Sequence, residues 1–223
     1  MKLLKRGFFK FLTLSLITPL LVLAGQPAYA DMDSDVVVLQ QRWAEINYQL
    51  KDKAQITAFE TLIGDAESMT QAYPNSAPIW IWSGIIKSTY AGAKGGLGAL
   101  KYAKASKADL EQALIIEPEA MDGSAYTSLG TLYFNVPGWP IGFGDKDKAE
   151  ELLLKALAIN PQGIDGNYFY GDYLIKRKRY EQAESYLVKA QNAPPRPNRP
   201  VADKGRQKEI TMALSKVRKH LNK

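Results

Sequence analysis

Few residues in this sequence have the types and spacing that catalysis requires. Its only histidine, His220, lies three residues from the end of the 223-residue chain, and the chain contains no cysteine. A serine nucleophile with a histidine base is therefore not expected, and neither are disulfides, thiolate catalysis or thiolate metal sites. These absences predict a protein that is not an enzyme.

Two short segments resemble ligand-binding motifs but lack residues that those motifs need. The glycine-rich segment KGGLGAL (94–100) lacks the Lys-Ser/Thr pair of a phosphate-binding loop and follows a predicted helix rather than a strand. The acidic segment DKDKAEE (145–151) lacks the glycine and the closing glutamate of a calcium-binding loop. Asp145 is instead predicted to cap the N-terminus of a helix. The sequence therefore predicts no metal and no cofactor.

Residues 1–30 have the organisation of a secretory signal peptide. A basic start is followed by an apolar run at 11–24 and by the small-residue triplet Ala-Tyr-Ala at 28–30. The apolar run is short for a membrane span, which needs about 20 residues, although an uncleaved anchor helix is the alternative. We expect cleavage after Ala30 and a mature chain, 31–223, that is soluble in the periplasm. Because cysteine is absent, this chain is not expected to be a lipoprotein.

The formal net charge of +6 is distributed unevenly along the chain. Residues 196–223 contain nine lysines and arginines against only Asp203 and Glu209. A nucleic-acid-binding protein usually spreads its basic residues along a recognition face, so no nucleic-acid partner is expected. A solvated basic helix is the prediction for this end, with attraction to anionic lipid or to an acidic partner as the alternative.

An internal repeat predicts the fold. Three segments end alike, with a leucine, an alanine three residues later and a proline five residues after that: LEQALIIEP (110–118), LLKALAINP (153–161) and LVKAQNAPP (187–195). Each leucine is preceded, four positions earlier, by a small residue, and further upstream by a glycine. The glycine and the small residue are Gly84 and Ser106 in the first segment, Gly130 and Ala149 in the second, and Gly171 and Ala183 in the third. The pattern resembles the tetratricopeptide repeat (TPR), a pair of antiparallel helices. We expect an all-α, TPR-like solenoid in which each glycine lets two helices cross closely.

The spacing of the repeats predicts the domain organisation. The helical repeat domain would span 31–195, in units of about 31–74, 75–118, 119–161 and 162–195, and residues 196–223 would form a proline-rich spacer and a capping helix. The second and third units exceed the usual length of about 34 residues. Their extra residues fall between the two helices of each unit, at 91–102 and around 137–140. Enlarged intra-repeat loops on one edge of the solenoid are therefore expected.

The concave face of the solenoid and the two loops form the predicted binding surface. Its members are Ile81, Ile85, Thr127, Thr131, Phe134, Asn135, Trp139, Phe143, Tyr168 and Asp172. This surface is mildly apolar and lacks the rows of arginine and lysine that clamp phosphate or carboxylate groups. Trp139 and Phe143 either pack the loop internally or form an apolar surface for a ligand or partner.

Two longer segments point to a narrower family. GSAYTSLGTLYFNVPGWPIGFGD (123–145) and PPRPNRPVADKGRQKEI (194–210) resemble the T-component family of tripartite ATP-independent periplasmic (TRAP) transporters, and the resemblance extends over about residues 40–215. It implies an exported, non-enzymatic protein that associates with a periplasmic substrate-binding protein and helps to pass an apolar organic ligand. The sequence leaves open whether the protein forms homo-oligomers. The alternative is a general periplasmic scaffold that binds other envelope proteins.

Overall fold

The structure, a computed structural model, describes residues 27–222 except for the side chains of 27–31 and Leu97, and this part of the chain contains helices and no strand. The predicted signal peptide lies mostly outside the described residues. The helices are α1 (Pro27–Gln49), α2 (Asp52–Ala72), α3 (Ala77–Lys94), α4 (Gly96–Ile116), α5 (Ala120–Asn135), α6 (Lys146–Ile159), α7 (Ile164–Lys176), α8 (Tyr180–Gln191) and α9 (Pro200–His220).

Consecutive helices pack as hairpins that stack on one another. The most extensive packing is within the pairs α3–α4, α5–α6 and α7–α8, and α2, α4, α6 and α8 each also pack on the helix that follows. Each hairpin buries only part of its apolar surface, so its neighbours complete the core. The predicted all-α, TPR-like solenoid is confirmed.

The predicted close helix crossings occur at the three repeat glycines. A Cβ atom added to Gly84, Gly130 or Gly171 would lie 2.6, 2.7 or 2.8 Å from a side-chain carbon of the leucine on the partner helix. These separations are shorter than carbon atoms tolerate, so only glycine permits the crossings. The role predicted for these glycines is confirmed.

The extra residues of the second unit do not form a loop, which corrects the expectation for 91–102. Helix α3 continues to Lys94 and α4 begins at Gly96, so a single residue, Gly95, separates them. Gly95 and Gly96 have φ values of 62° and 65°, which glycine adopts at little cost and which turn the chain sharply. The aromatic rings of Tyr90 and Tyr102, 4.6 Å apart, hold the lengthened helices together.

The extra residues of the third unit do form a loop, and it is tightly folded. The Gly144 N–H donates to the Pro137 carbonyl (2.9 Å) and the Asp145 N–H donates to the Tyr133 carbonyl (2.8 Å). A Cβ atom at Gly144 would lie 1.9 Å from the carbonyl oxygen of Val136, so no larger residue fits there. Asp145 then caps α6, as predicted, because its side chain accepts from the N–H groups of the first helical turn.

Helix α9 contacts both ends of the solenoid. Its apolar stripe, Ile210, Leu214 and Val217, is buried against α7 and α8, in the position of an end cap. Its N-terminal half reaches α1, where Gly205 lies under the ring of Tyr48 and a Cβ atom would come within 2.4 Å of that ring. The repeat array therefore closes on itself.

Candidate functional site

Closure of the array surrounds a central cavity of about 1030 Å³ that is partly open to solvent. Its wall is formed by α1, α3, α4, α5 and α7, together with the 194–199 spacer and the first half of α9. The volume is at the upper end of the range of about 300–1,000 Å³ that is typical of small-molecule sites. The concave face is thus a deep cavity that stays partly open to solvent.

Half of the predicted site residues line this cavity. They are Ile85, Thr127, Thr131, Asn135 and Tyr168. Thr127, Thr131 and Asn135 recur every four residues and so lie on one face of α5. The Thr131 hydroxyl donates to the Thr127 carbonyl (2.8 Å), so it is satisfied within its own helix.

Three other predicted residues lie away from the cavity wall. Ile81 is fully buried in the core between hairpins. Phe134 packs edge-on against Tyr173, with the rings 5.1 Å apart, because its position on α5 faces α7. Asp172 forms an ion pair with Lys176 (3.1 Å) one turn later on α7.

The two loop aromatics have different environments. The side chain of Phe143 packs against Tyr133, with the rings 5.4 Å apart, so it holds the loop on the helices. Trp139 is 89% exposed and does not line the cavity, while its neighbour Ile141 is 68% exposed and lines it. The loop therefore presents an unpaired aromatic side chain beside the cavity.

A cluster of arginines lies in the cavity wall, a feature that reasoning from the sequence missed. Arg206 is 7% exposed, and its guanidinium lies 4.4 and 4.5 Å from the ring centres of Tyr168 and Phe169. It donates to Asp165 (2.8 Å) and to Glu209. The basic end of the chain is thus solvated only on its outer face, since its inner arginines are drawn into the cavity wall.

Asp165 is the centre of this cluster. One of its carboxylate oxygens accepts from Arg206 and the other from Arg196 (2.7 Å), which also pairs with Asp203. Burial alone would raise the pKa of Asp165, but the charges of Arg206 and Arg196 outweigh it and hold the pKa well below its usual range. Asp165 is therefore ionised at any pH near neutral.

Aromatic side chains from α1 and α3 also line the cavity. The indole N–H of Trp43 donates to Thr89 (2.9 Å), and its ring meets that of Trp82 at 5.7 Å. Tyr48 completes this wall and donates to Glu209 (3.3 Å). Burial raises the pKa of Tyr48 far above neutral, so it remains a neutral donor. The aromatic side chains of α1 and α3 therefore adjoin the charged cluster of α7 and α9.

Neither a metal-binding cluster nor a membrane-spanning helix is found in the part of the chain that the structure describes. Within 27–222, no cluster of histidine, cysteine, aspartate and glutamate has the geometry to hold a metal ion. In the same range, none of the helices has the length and apolar character needed to cross a membrane.

One repeat of the chain is recognisable by family comparison. Residues 164–197 match the tetratricopeptide repeat family, and this segment covers α7, α8 and the start of the spacer. No curated protein matches the chain. The T-component resemblance therefore receives no support beyond the residues that suggested it. TPR repeats commonly form interaction surfaces, and all-helical TPR folds are typically non-enzymatic scaffolds.

Proposed function

We propose that this protein is a non-enzymatic binding accessory of a TRAP-type transport system. It holds an organic ligand in the central cavity and associates with a substrate-binding protein through the loop 136–145, between α5 and α6. The observation that carries the proposal is the closure of the solenoid by α1 and α9, because it surrounds a partly open cavity of about 1030 Å³, a volume in the range of small-molecule sites.

The cellular setting of the proposal rests on the sequence. The basic, apolar and small-residue segments of 1–30 support export and cleavage after Ala30. The absence of cysteine supports a protein that is free in the periplasm rather than lipid-anchored. The transporter assignment rests on the resemblance of 123–145 and 194–210 to T-component proteins.

The partner surface of the proposal is the loop that carries Trp139. The loop is fixed by its own backbone hydrogen bonds and by Phe143, so Trp139 and Ile141 are presented without a large loss of conformational entropy on binding. Exposed tryptophans on rigid supports are frequent anchors of protein interfaces. The substrate-binding protein would dock here, next to the cavity.

Opening the contact between α1 and α9 is expected to release the ligand. Leucine at position 205 collides with the ring of Tyr48, so α9 must move away from α1. We expect Gly205→Leu to weaken binding of the apolar dye N-phenyl-1-naphthylamine by more than tenfold, about 1.4 kcal/mol, in a fluorescence titration.

A compensating change separates this effect from general damage to the fold. Gly205 lies inside α9, where leucine is the better helix former by about 1 kcal/mol, so the helix itself is not weakened. Adding Tyr48→Ala removes the ring with which leucine collides, so α9 can approach α1 again. Because the Tyr48–Glu209 hydrogen bond is lost as well, we expect only part of the dye affinity to return, to within about fivefold of the original. Tight binding by the single variant Gly205→Leu would show that closure is irrelevant to the ligand.

Loss of the exposed indole is expected to affect partner capture only. Trp139→Ser removes a side chain that is 89% exposed, so the melting temperature should change by less than about 2 °C. Recovery of the substrate-binding protein from periplasmic extract should fall at least tenfold. Phe143→Ser is the matched control, because it removes a packed ring and should lower the melting temperature instead. Unchanged recovery with Trp139→Ser would exclude the loop as the docking site.

A general envelope scaffold is the second candidate, favoured by the exposed Trp139 and by the TPR match. The two functions differ in which proteins and small molecules are expected to co-purify with the protein. Purification from periplasmic extract, with mass spectrometry of proteins and of extracted small molecules, should recover a substrate-binding protein and a bound organic compound. Envelope-assembly proteins without any small molecule would favour the scaffold.

A further inference from the structure

The outer face of α9 carries a stripe of lysines. Its residues recur at helical spacing on the side opposite the buried apolar stripe of the same helix, along about 22 Å of its length. The outer stripe consists of Lys204, Lys208, Met212, Ser215 and Lys219, with Lys216 at its edge, and all six side chains are exposed. None of its lysines forms an ion pair with any residue that the structure describes within 27–222. The packing of the fold therefore does not account for these four charges.

The acidic residues of the C-terminal segment do not neutralise the outer stripe. Asp203 and Glu209 are the only acidic residues of 196–223. Asp203 pairs with Arg196 (2.6 Å) and Glu209 pairs with Arg206, so both carboxylates are taken up by arginines of the cavity wall. The segment thus separates its arginines, which are paired on the inner side, from its lysines, which remain unpaired on the outer side.

The tertiary structure adds a second basic segment to this end of the molecule. The ring of His220 stacks on that of Tyr180, with the ring centres 4.4 Å apart, so the C-terminal end of α9 lies beside the turn between α7 and α8. That turn exposes Arg177 and Lys178. These two residues are distant from α9 in the sequence, and the fold brings them to the end of the lysine stripe.

Helix α9 holds the stripe on a rigid support. Its apolar side is buried against α7 and α8, and Arg218 donates to Glu184 of α8 (3.1 Å). Glu184 is therefore already paired with a cation. Glu181, which is exposed at the start of α8, offsets one of the neighbouring charges. The face remains strongly positive, and its helix needs no ordering before it meets a partner.

The rest of the chain has the opposite charge. Residues 31–195 contain 16 lysines and arginines against 21 aspartates and glutamates, whereas 196–223 contain nine against two. A molecule with its charges separated in this way turns its basic face toward an anionic surface and its acidic body away from it. The charge distribution thus gives the encounter a defined orientation.

The composition of the stripe favours a lipid surface over other anionic partners. Protein interfaces are depleted in lysine and enriched in arginine, whose planar fork recognises individual anionic groups. Lysine is a point charge on a flexible stem and suits the diffuse charge of anionic lipids, where each residue contributes about 1 kcal/mol. Met212, in the middle of the stripe, is 64% exposed. A bilayer offers an apolar layer below its phosphates for this side chain, and nucleic acid offers none.

We propose that the outer face of α9, together with the turn between α7 and α8, docks on an anionic lipid bilayer. The lysines bind lipid phosphates, Met212 enters the headgroup layer, and α9 lies parallel to the surface. Basic residues without an acyl chain give reversible, salt-dependent binding. Such binding suits a chain that has no cysteine for a lipid anchor. The inference is independent of the ligand and the partner protein proposed above.

Sedimentation with lipid vesicles tests the proposal. For vesicles of phosphatidylcholine with about 30% phosphatidylglycerol, we expect a partition coefficient at least tenfold above that for pure phosphatidylcholine. Raising NaCl from about 0.05 M to about 0.3 M should lower binding to the anionic vesicles at least tenfold, because salt screens the charges. Equal binding to the two kinds of vesicle would overturn the proposal.

A triple variant assigns the binding to α9. Lys204→Gln, Lys208→Gln and Lys219→Gln, combined in one chain, should lower partition into the anionic vesicles at least tenfold. Glutamine forms helices as well as lysine does and the positions are exposed, so the melting temperature should change by less than about 2 °C. All chains are compared in the same purified form, so any lipid binding by the basic and apolar residues 1–30 is common to them.

The matched control removes three lysines from another part of the surface. Lys101→Gln, Lys104→Gln and Lys146→Gln change the net charge by the same amount, and these lysines are exposed. They lie on α4 and α6, which do not pack on α9. The control should keep its vesicle affinity within about twofold of the original. Equal losses in the two triple variants would mean that net charge alone governs binding, and would overturn the assignment to α9.

A fluorescent label reports which face meets the lipid. The chain has no cysteine, so Met212→Cys provides a single attachment site for the polarity-sensitive dye nitrobenzoxadiazole. Its emission should rise and shift to the blue with the anionic vesicles and stay constant with pure phosphatidylcholine. The same label at Lys104→Cys should not respond. A constant signal from the Met212→Cys label on vesicle-bound protein would show that another face makes the contact.

Competition decides between the lipid surface and other polyanions. Double-stranded DNA of about 20 base pairs and poly-glutamate are added to vesicle-bound protein at matched charge concentration in about 0.15 M NaCl. We expect neither to displace the protein from the anionic vesicles. Displacement by DNA would assign the face to nucleic acid, and displacement by poly-glutamate would assign it to an acidic protein. Either result would overturn the lipid assignment.

Discussion

Replacing Asp109 by alanine is expected to lower the free energy of unfolding by about 3–5 kcal/mol, because it leaves a buried ammonium group without its carboxylate. The Asp109 carboxylate accepts from Lys87 (2.8 Å) and from Ser83 (2.7 Å) between α3 and α4. The side chains of Lys87 and Asp109 are 7% and 9% exposed. The remaining partner of Lys87 is Glu67 at 3.2 Å, whose side chain is 53% exposed and so replaces Asp109 poorly.

Chemical denaturation followed by circular dichroism would measure this loss. Glu111→Ala is the matched control, since it removes the carboxylate of the Lys107 pair, whose side chains are 26% and 46% exposed on the same helix. Such a surface pair contributes only about 0–1 kcal/mol. A loss below 1 kcal/mol for Asp109→Ala would mean that Lys87 finds water or Glu67 at little cost.

Leucine at position 130 is expected to destabilise the protein by about 2–4 kcal/mol through overpacking at a helix crossing. The first added carbon atom would lie 2.7 Å from the side chain of Leu153 and 3.1 Å from the carbonyl oxygen of Ala149. The carbonyl belongs to the backbone of α6, so α5 and α6 must separate. Because neighbouring hairpins share their cores, the disturbance would spread to α4 and α7.

The control for this variant is a glycine on the outer surface. Gly64 lies within α2, is exposed, and has no atom within 4 Å of an added Cβ. Gly64→Leu should leave stability unchanged or raise it by up to about 1 kcal/mol, because leucine is the better helix former. Thermal melting of both variants measures the contrast. A melting temperature of Gly130→Leu within 2 °C of the unaltered protein would disprove the close crossing.

The candidate site was only partly accessible from the sequence. Counting from the repeat glycines identifies Ile85, Thr127 and Thr131, since these positions follow from the period of a helix. The same counting includes Ile81, which the structure places in the core, because which turn of a helix faces the chamber depends on how neighbouring hairpins are rotated. Trp139 and Phe143 look alike in the sequence, and only the folded loop separates the exposed ring from the packed one.

The sequence by itself determined the all-α repeat architecture, because its signals are local. A glycine, a small residue and a leucine at fixed spacing specify a helix crossing within one hairpin, and stacking of hairpins follows from their unburied faces. The two expanded units also follow from spacing. However, spacing cannot distinguish a loop, as at 136–145, from two lengthened helices, as at 91–102, since both add residues between the same landmarks.

Only the tertiary structure decided that the solenoid closes into a chamber. The contact that closes it joins Tyr48 to Glu209, residues that are 161 positions apart. It results from the small rotation between successive hairpins, summed over the whole array, and no local pattern encodes that sum. The same closure brings Arg199 beside Trp82 and turns a basic terminal segment into a wall of the chamber, because α9 must cross the concave side to reach α1.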